Sequence, residues 1–265
     1  MRFRPLSAPS PDAVADAAAR SPFVVGPTFS ALADADELRF RDEIEPELTR
    51  DGIVPWLQRK ELLEKLDHAL SSARVTPSGT VVELGAGSCW LSAALTTLPG
   101  VEEAIGVEFS RYRLEELAPV AIAALGADPA RVTRRLADFN AHGLPDASAD
   151  LVVFDAAFHH AADRLHIAKV AFRLLRPGGR LLLFREPTLA LLRRNRDHGI
   201  EDEYGSFESE DSRRGYLRTL RAAGFADARA SQGAGSLRER AFLLRPPLRW
   251  LNGIAFAEYV YVAVR

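Results

Sequence analysis

The chain of 265 residues is 47% hydrophobic, a size and composition that suit one α/β domain with an extension. Its net charge is -2 and its charged residues are spread along the chain, which gives no overall indication of nucleic-acid or membrane binding. The one cysteine, Cys89, excludes an intrachain disulfide and a cysteine zinc site. We see no signal peptide and no apolar run of about 18 residues, so a cytoplasmic protein is expected.

Residues 1–74 precede the first predicted strand. Their first part is rich in Ala, Pro and Ser, with a short helix expected around residues 13–19. Leucines on one face predict a stronger helix from about residue 57 to residue 70.

A strand, a glycine turn and a helix are predicted in succession at residues 79–91. Thr80–Leu84 is β-branched and apolar, as in a parallel strand that is buried on both faces. Residues 85–87 turn the chain without large side chains, and Ser88 is suited to cap the following helix. A ligand can approach the backbone at such a turn, where the amides of the helix start favour negative charge.

Two features distinguish this turn from a dinucleotide site. The dinucleotide fingerprint has a third glycine where this chain has Trp90, which fits poorly beneath a pyrophosphate. Glu83, two residues before Gly85, would place a carboxylate in the mouth of the site, where it would repel a dianion and attract an ammonium or sulfonium group. A zwitterionic or cationic cofactor is therefore favoured.

Acidic residues end the next two predicted strands. The second strand ends at Glu108 and Phe109, and an acid about 20 residues past the glycines can accept both hydroxyl protons of a ribose. A third strand, within residues 131–140, ends at Asp138 and Phe139.

Two more strands, predicted within residues 144–155 and 174–187, are separated by a helix at about 162–175. Candidate site residues follow both strands. Asp155, Ala156, His159 and His160 come after the fourth strand, and Arg185 and Glu186 come after the fifth. A sixth strand is expected near residues 225–230, and the last strand alternates clearly at residues 258–265.

The sequence Val-Val-Glu-Leu-Gly-Ala-Gly at residues 81–87 resembles the first motif of the class I S-adenosylmethionine-dependent methyltransferases. Three later segments match the family in the same order: Ala137-Asp138-Phe139, the run from Leu144 to Asp155, and Arg176-Pro177-Gly178-Gly179. The resemblance covers about residues 81–187. It implies a Rossmann-like, doubly wound α/β fold with a seven-stranded sheet whose last strand is antiparallel.

The resemblance also implies a domain organisation. Residues 1–74 would form an N-terminal extension and helical cap, in which Phe40 and Trp56 either line a pocket or pack the cap against the domain. Residues 75–265 would form the methyltransferase domain, with two insertions at about 188–211 and 231–253.

S-adenosylmethionine is the cofactor that the resemblance implies. In the family, the acid after the third strand binds the adenine amine, and the residues after the fourth strand face the methionine part. The expected cofactor contacts are Glu83, Gly85, Ala86, Gly87, Glu108, Phe109, Asp138, Phe139, Asp155 and Ala156. No metal is expected, since the paired Asp-Asn of the magnesium-dependent relatives is absent.

Methyl transfer from a sulfonium is an in-line displacement that depends mainly on positioning. If the acceptor is a hydroxyl, its proton must leave, and an imidazole is the natural base. We expect His160 or His159 in this role, with His160 slightly preferred, and Glu186 could orient a substrate hydroxyl or amine. Packing or loop ordering would also explain the two histidines.

We therefore predict a methyltransferase that acts on a small molecule, a secondary metabolite or sugar, most plausibly at oxygen. One alternative is a methyltransferase-like protein that binds S-adenosylmethionine but catalyses a non-methylating reaction or serves as a binding module. Others are a nicotinamide oxidoreductase and a methylase of protein or RNA, with contacts near Arg193 and Arg238. No nucleic-acid or membrane partner is expected, and a homodimer remains open.

Overall fold

The computed structural model describes residues 3–27, 48–189, 200–201, 207–208, 211–233 and 259–265. Phe40, Arg193, Arg238 and most of the two predicted insertions lie outside these residues.

Most of the strands join in one mixed sheet. The strands in chain order are β1 (Phe23–Val25), β2 (Gly79–Leu84), β3 (Val101–Glu108), β4 (Val132–Leu136), β5 (Ala149–Asp155), β6 (Leu175–Phe184), β7 (Thr188–Leu189), β8 (Ile200–Glu201), β9 (Phe207–Glu208), β10 (Asp211–Ser212), β11 (Ala226–Gln232) and β12 (Tyr259–Val264). Eight of them form the sheet, in the order β1-β4-β3-β2-β5-β6-β12-β11. Strand β12 is antiparallel to both neighbours, and the other pairs are parallel.

Helices cover both faces of the sheet, as buried parallel strands require. They are α1 (Pro11–Arg20), α2 (Ile53–Arg59), α3 (Leu62–Ser72), α4 (Trp90–Thr96), α5 (Ala118–Leu125), α6 (Arg164–Leu174) and α7 (Arg213–Ala222), with a π-helical turn at Arg113–Leu117 and 3-10 turns at Pro129–Arg131, Phe139–Ala141 and Phe158–His160. One hydrophobic cluster joins Val81 and Val153 to α1 through α5, and another joins Val82 and Val152 to α6 and α7. The predicted doubly wound fold and its antiparallel last strand are confirmed.

The sheet has eight strands, so the predicted number of seven is wrong. The additional strand β1 pairs in parallel with β4, and Phe23 lies opposite Arg134. The buried guanidinium of Arg134 donates to Ser21 Oγ and to the carbonyls of Ser21, Ala18 and Leu114. These bonds fasten the end of α1 to the sheet edge.

The single helix predicted over residues 57–70 is also wrong, because α2 and α3 are separate. Glu61 between them has a φ of 53°, in the left-handed region. Leu57 and Leu62 are five positions apart, which departs from helical spacing of three or four, so one straight helix would not bury both. The break allows both leucines to enter the same hydrophobic cluster as Val81.

Packing among the described residues shows no break at the predicted domain boundary at residue 74, since α2 and α3 share a core with the sheet. A helical cap within residues 28–47 stays a prediction and lies outside the described residues. In the part of the chain that the structure describes, no helix has the length and apolar character needed to cross a membrane.

Candidate functional site

The carboxyl ends of five parallel strands lie along one edge of the sheet. From β2 the chain winds outward through β3 and β4, and it then continues on the other side of β2 with β5 and β6. The winding direction therefore changes between β2 and β5, the place where doubly wound folds bind ligands. The glycine turn follows β2 and lies at this crevice.

The glycine turn is packed closely on one side and open on the other. Gly85 and Gly87 have φ angles of 76° and 50°, which glycine adopts without strain. A Cβ at Gly85 would lie 2.6 Å from the Cβ of Ala157. A Cβ at Gly87 would meet, among the described atoms within 4 Å, only Arg113 Nη1 at 3.7 Å. Ala86 is buried between the two glycines, so a ligand would enter over Gly87.

Glu83 does not face the mouth of the site, and the prediction that it would attract a cation there is wrong. The residue is 1% exposed, and its Oε2 accepts from the N–H and the hydroxyl of Ser92 at 2.8 and 2.5 Å. Burial raises the pKa of Glu83 well above its ordinary value. The side chain thus faces the first turns of α4 and stabilises the packing of this helix on β2.

The predicted cap at Ser88 is wrong as well. Cys89 immediately precedes α4 with a φ of 53°, and no side chain caps this helix. The thiol of Cys89 is buried, and a Cβ at Gly106 would lie 2.5 Å from its sulfur. Cys89 therefore has the apolar packing role that is usual for a buried free cysteine.

Glu108 lies where the second-strand carboxylate was predicted. Its Oε2 accepts from Gly87 N–H at 2.7 Å and its Oε1 from Ser110 N–H at 3.0 Å. The next residue, Phe109, is 42% exposed, an unusual position for a large apolar ring. Glu108 itself is 4% exposed, and its contact with a ribose stays a prediction.

Asp138 and Phe139 follow β4 at the same edge. Asp138 is exposed and caps the 3-10 turn by accepting from Asn140 N–H at 2.7 Å. The Phe139 ring packs edge-on against Phe154, with centroids 6.4 Å apart, and its Cδ1 would lie 3.9 Å from a Cβ at Gly85. The structure therefore brings Phe139 next to the glycine turn, and the contact of Asp138 and Phe139 with adenine stays a prediction.

Asp155 is engaged by protein groups, which argues against the predicted direct contact with the methionine part of a cofactor. Its Oδ1 accepts from Arg185 Nε at 2.5 Å, and its Oδ2 accepts from Arg185 Nη2 at 2.9 Å and from Trp90 Nε1 at 2.8 Å. The neighbouring Ala156 has a φ of 49°, and its N–H donates to Phe184.

Glu186 orders the turn after β5, and its contacts argue against the predicted role of orienting a substrate hydroxyl or amine. The buried carboxylate accepts at Oε1 from Ala157 and Phe158 N–H, at 3.1 and 3.0 Å. Its Oε2 accepts from His159 N–H at 3.1 Å and lies 2.9 Å from His159 Nδ1. His160 is half-buried, and its ring lies 4.0 Å from that of His159, centroid to centroid.

Part of the predicted insertion at 188–211 borders the histidine turn. Strands β7 and β10 pair and bring the two ends of this segment together. Strands β8 and β9 pair as an antiparallel hairpin, and β9 lies against the turn at Phe158–His160. Tyr216 donates to the Pro187 carbonyl at 2.9 Å, which holds the start of the segment in place.

The sequence placed Asp155 and Arg185 at the ends of neighbouring strands, but it did not predict that they pair with each other or that Trp90 joins them. The carboxylates of Asp155 and Glu186 take different partners, and the described residues contain no group of three metal-binding side chains.

Comparisons with known proteins agree with this geometry. Residues 82–183 match the family model described as a methyltransferase domain. A 27-O-demethylrifamycin SV methyltransferase of Amycolatopsis mediterranei (strain S699) is 47% identical over 53 residues, a match that spans 20% of this chain and 20% of that protein.

Solved structures share the fold at low identity. A chain in the complex of the Haloferax volcanii Trm112 methyltransferase activator with a methyltransferase is 22% identical, with a TM-score of 0.55 over 82% of this chain and 96% of its own. Phosphoethanolamine N-methyltransferase 2 of Haemonchus contortus, in complex with S-adenosyl-L-methionine, is 16% identical, with a TM-score of 0.57 over 86% and 59%. An S-adenosylmethionine-dependent methyltransferase from Mesorhizobium loti is 20% identical, with a TM-score of 0.50 over 73% and 94%.

The fold is doubly wound α/β, and its glycine turn lies at the crevice where such folds bind ligands. Residues 82–183 form the part of the chain that matches a methyltransferase domain, and the solved methyltransferase structures share its fold. The described residues are compatible with S-adenosylmethionine: among them the space over Gly87 is open, the Phe109 ring is exposed, and each oxygen of the buried Glu108 carboxylate accepts one hydrogen bond and can accept another.

Proposed function

We propose that the protein transfers a methyl group from S-adenosylmethionine to a hydroxyl oxygen of a small molecule, a secondary metabolite or sugar. The observation that carries the choice of oxygen is the buried pair of His159 and Glu186 at the carboxyl edge of the sheet. The partial match to a rifamycin O-methyltransferase supports the same choice.

The pair assigns a role to each imidazole nitrogen. Glu186 Oε2 accepts hydrogen bonds, so His159 Nδ1 carries the proton that it donates to this oxygen. The other nitrogen, Nε2, then has a lone pair and can accept the proton of an acceptor hydroxyl. We therefore place the general base at His159, with Glu186 as its positioning residue, and no longer prefer His160.

In this proposal the chain's residues bind the cofactor and remove the proton of the acceptor. Glu108, Phe109 and the glycine turn hold the nucleoside part of the cofactor, which when bound supplies an electrophilic methyl group on a sulfonium. His159 takes the proton from the acceptor hydroxyl, and the carboxylate of Glu186, 2.9 Å from Nδ1, stabilises the positive charge that forms on the ring. The hairpin of β8 and β9 would form the acceptor side of the site.

The test is transfer of a labelled methyl group from S-adenosylmethionine to a panel of phenols, sugars and hydroxylated polyketides. For an acceptor that is methylated at oxygen, His159→Ala should lower kcat by about 10²- to 10⁴-fold, the range for a lost general base. His166→Ala, at the exposed start of α6, is the matched control and should keep full activity. Tight cofactor binding without transfer to any acceptor would favour the non-methylating alternative, and product methylated only at nitrogen would refute the choice of oxygen.

A further inference from the structure

Arg185 and Asp155 form an ion pair at the carboxyl edge of the sheet, and the guanidinium is its outer member. The side chain of Asp155 is 4% exposed and that of Arg185 is 18% exposed, so the carboxylate lies inside and the guanidinium outside. Two N–H···O bonds, from Nε and Nη2, fix the guanidinium plane relative to the carboxylate. The pair therefore presents positive charge at this edge in one orientation.

Trp90 completes the hydrogen bonding of Asp155. Its indole N–H is the third donor to this carboxylate, at 2.8 Å. Three donors therefore surround a carboxylate that is 4% exposed, whereas the Arg185 side chain is 18% exposed. A ligand thus reaches the guanidinium more readily than the acid.

The cluster is tied directly to the glycine turn. Trp90 begins α4, which follows this turn, and β5 lies between β2 and β6. Arg185 follows β6, and its ion pair with Asp155 at the end of β5 therefore directs its guanidinium towards the crevice between β2 and β5. Ala156 and Arg185 directly follow their strands with φ angles of 49° and 56°, and strained backbone of this kind clusters at ligand sites.

We propose that Arg185 binds the α-carboxylate in the methionine part of the cofactor, with Asp155 and Trp90 as positioning residues. The identity of the ligand rests on the proposed function. A planar guanidinium matches a carboxylate with two parallel donors, which an ammonium cannot do. A carboxylate on the methyl acceptor would offer the same chemistry, so the test uses cofactor analogues alone.

Arg113 is a competing guanidinium near the same turn. Its Nη1 would lie 3.7 Å from a Cβ at Gly87. It belongs to the π-helical turn that follows β3 and Glu108, on the ribose side of the crevice. Binding of the cofactor α-carboxylate should therefore depend on Arg185 and not on Arg113.

The test is calorimetric titration with S-adenosylhomocysteine and with its decarboxylated form, which keeps the amine. Wild type should bind S-adenosylhomocysteine more tightly. Arg185→Met should weaken this binding about 10- to 100-fold, as for one charged hydrogen-bonding partner, and change binding of the decarboxylated form by less than about 2-fold. Trp90→Phe should weaken only S-adenosylhomocysteine, by a smaller factor.

Two further variants control for folding. Arg185→Met leaves Asp155 buried without its cation, so the double variant Arg185→Met/Asp155→Asn, which removes both charges, should show the same selective loss. Arg176 pairs with Asp150 and joins the same two strands at their other ends, so Arg176→Met should bind both ligands as wild type does.

Equal binding of the two ligands by wild type would overturn the assignment. So would a selective loss in Arg113→Met but not in Arg185→Met, or unchanged S-adenosylhomocysteine binding in a folded Arg185→Met protein, which would place the carboxylate partner elsewhere. If wild type bound neither ligand, the proposed function itself would fail, and this inference with it.

Discussion

Replacing Glu186 with glutamine probes the turn that carries the proposed base. The carboxylate accepts four hydrogen bonds, two at each oxygen. In Glu186→Gln the amide oxygen can still accept from Ala157 and Phe158, but the amide NH₂ then faces the His159 backbone N–H, which loses its acceptor in a buried site. The neutral imidazole can change tautomer and accept from the amide at Nδ1.

The cost follows from the number of donors left without a partner. A buried donor without an acceptor costs about 1 to 3 kcal/mol, so Glu186→Gln should lower the free energy of unfolding by about 1 to 3 kcal/mol. For a chain of this size each kcal/mol shifts the melting temperature by about 2 to 4 °C, so Tm should fall by at least about 2 °C. Urea unfolding followed by circular dichroism measures the change.

The matched control is Glu102→Gln, an exposed carboxylate on β3, which should change the free energy of unfolding by less than about 0.5 kcal/mol. If Glu186→Gln were as stable as this control, the carboxylate would not hold the histidine turn, and the role of Glu186 as a positioning residue would be refuted.

Two further predictions concern buried groups behind the glycine turn. Burial raises the pKa of Glu83 above the ordinary value of 4.5, so the unfolded chain loses this proton first and wild type loses stability as the pH rises from about 4.5 towards the folded pKa. Glu83→Gln should remove that part of the pH dependence of unfolding above pH 4.5, and an unchanged slope would count against a raised pKa. Burial likewise raises the pKa of the Cys89 thiol, so a thiol reagent at pH 8 should label Cys89 only in urea; rapid labelling of the native protein would contradict its burial.

Local patterns were enough to predict seven of the strands and the glycine turn, whereas the doubly wound sheet followed from the family resemblance. Each of the first five predicted strands ends within a few residues of an acidic side chain, and the spacing of Glu108 from the glycines placed it beside the turn. The direction of Glu83 could not be predicted, because a parallel strand with apolar residues on both faces does not show which face meets a helix. Only the packing of α4 decides that Glu83 meets Ser92.

Contacts between residues far apart in the chain could not be predicted from the sequence. Trp90, Asp155 and Arg185 are separated by 65 and 30 positions, so no local pattern joins them. Strand β1 has three residues, and its partner Arg134 is more than 100 positions away from Phe23. Glu186 likewise meets His159 only after β5 and β6 have paired.

The central claim is that the glycine turn and Glu108 form an S-adenosylmethionine site. Calorimetric titration of wild type and Glu108→Ala with S-adenosylmethionine and S-adenosylhomocysteine tests it most directly. We expect wild type to bind both and Glu108→Ala to lose about 1 to 3 kcal/mol of binding free energy, the range for a charged hydrogen bond. Absence of binding to wild type, or equal binding to a folded Glu108→Ala protein, would contradict the claim.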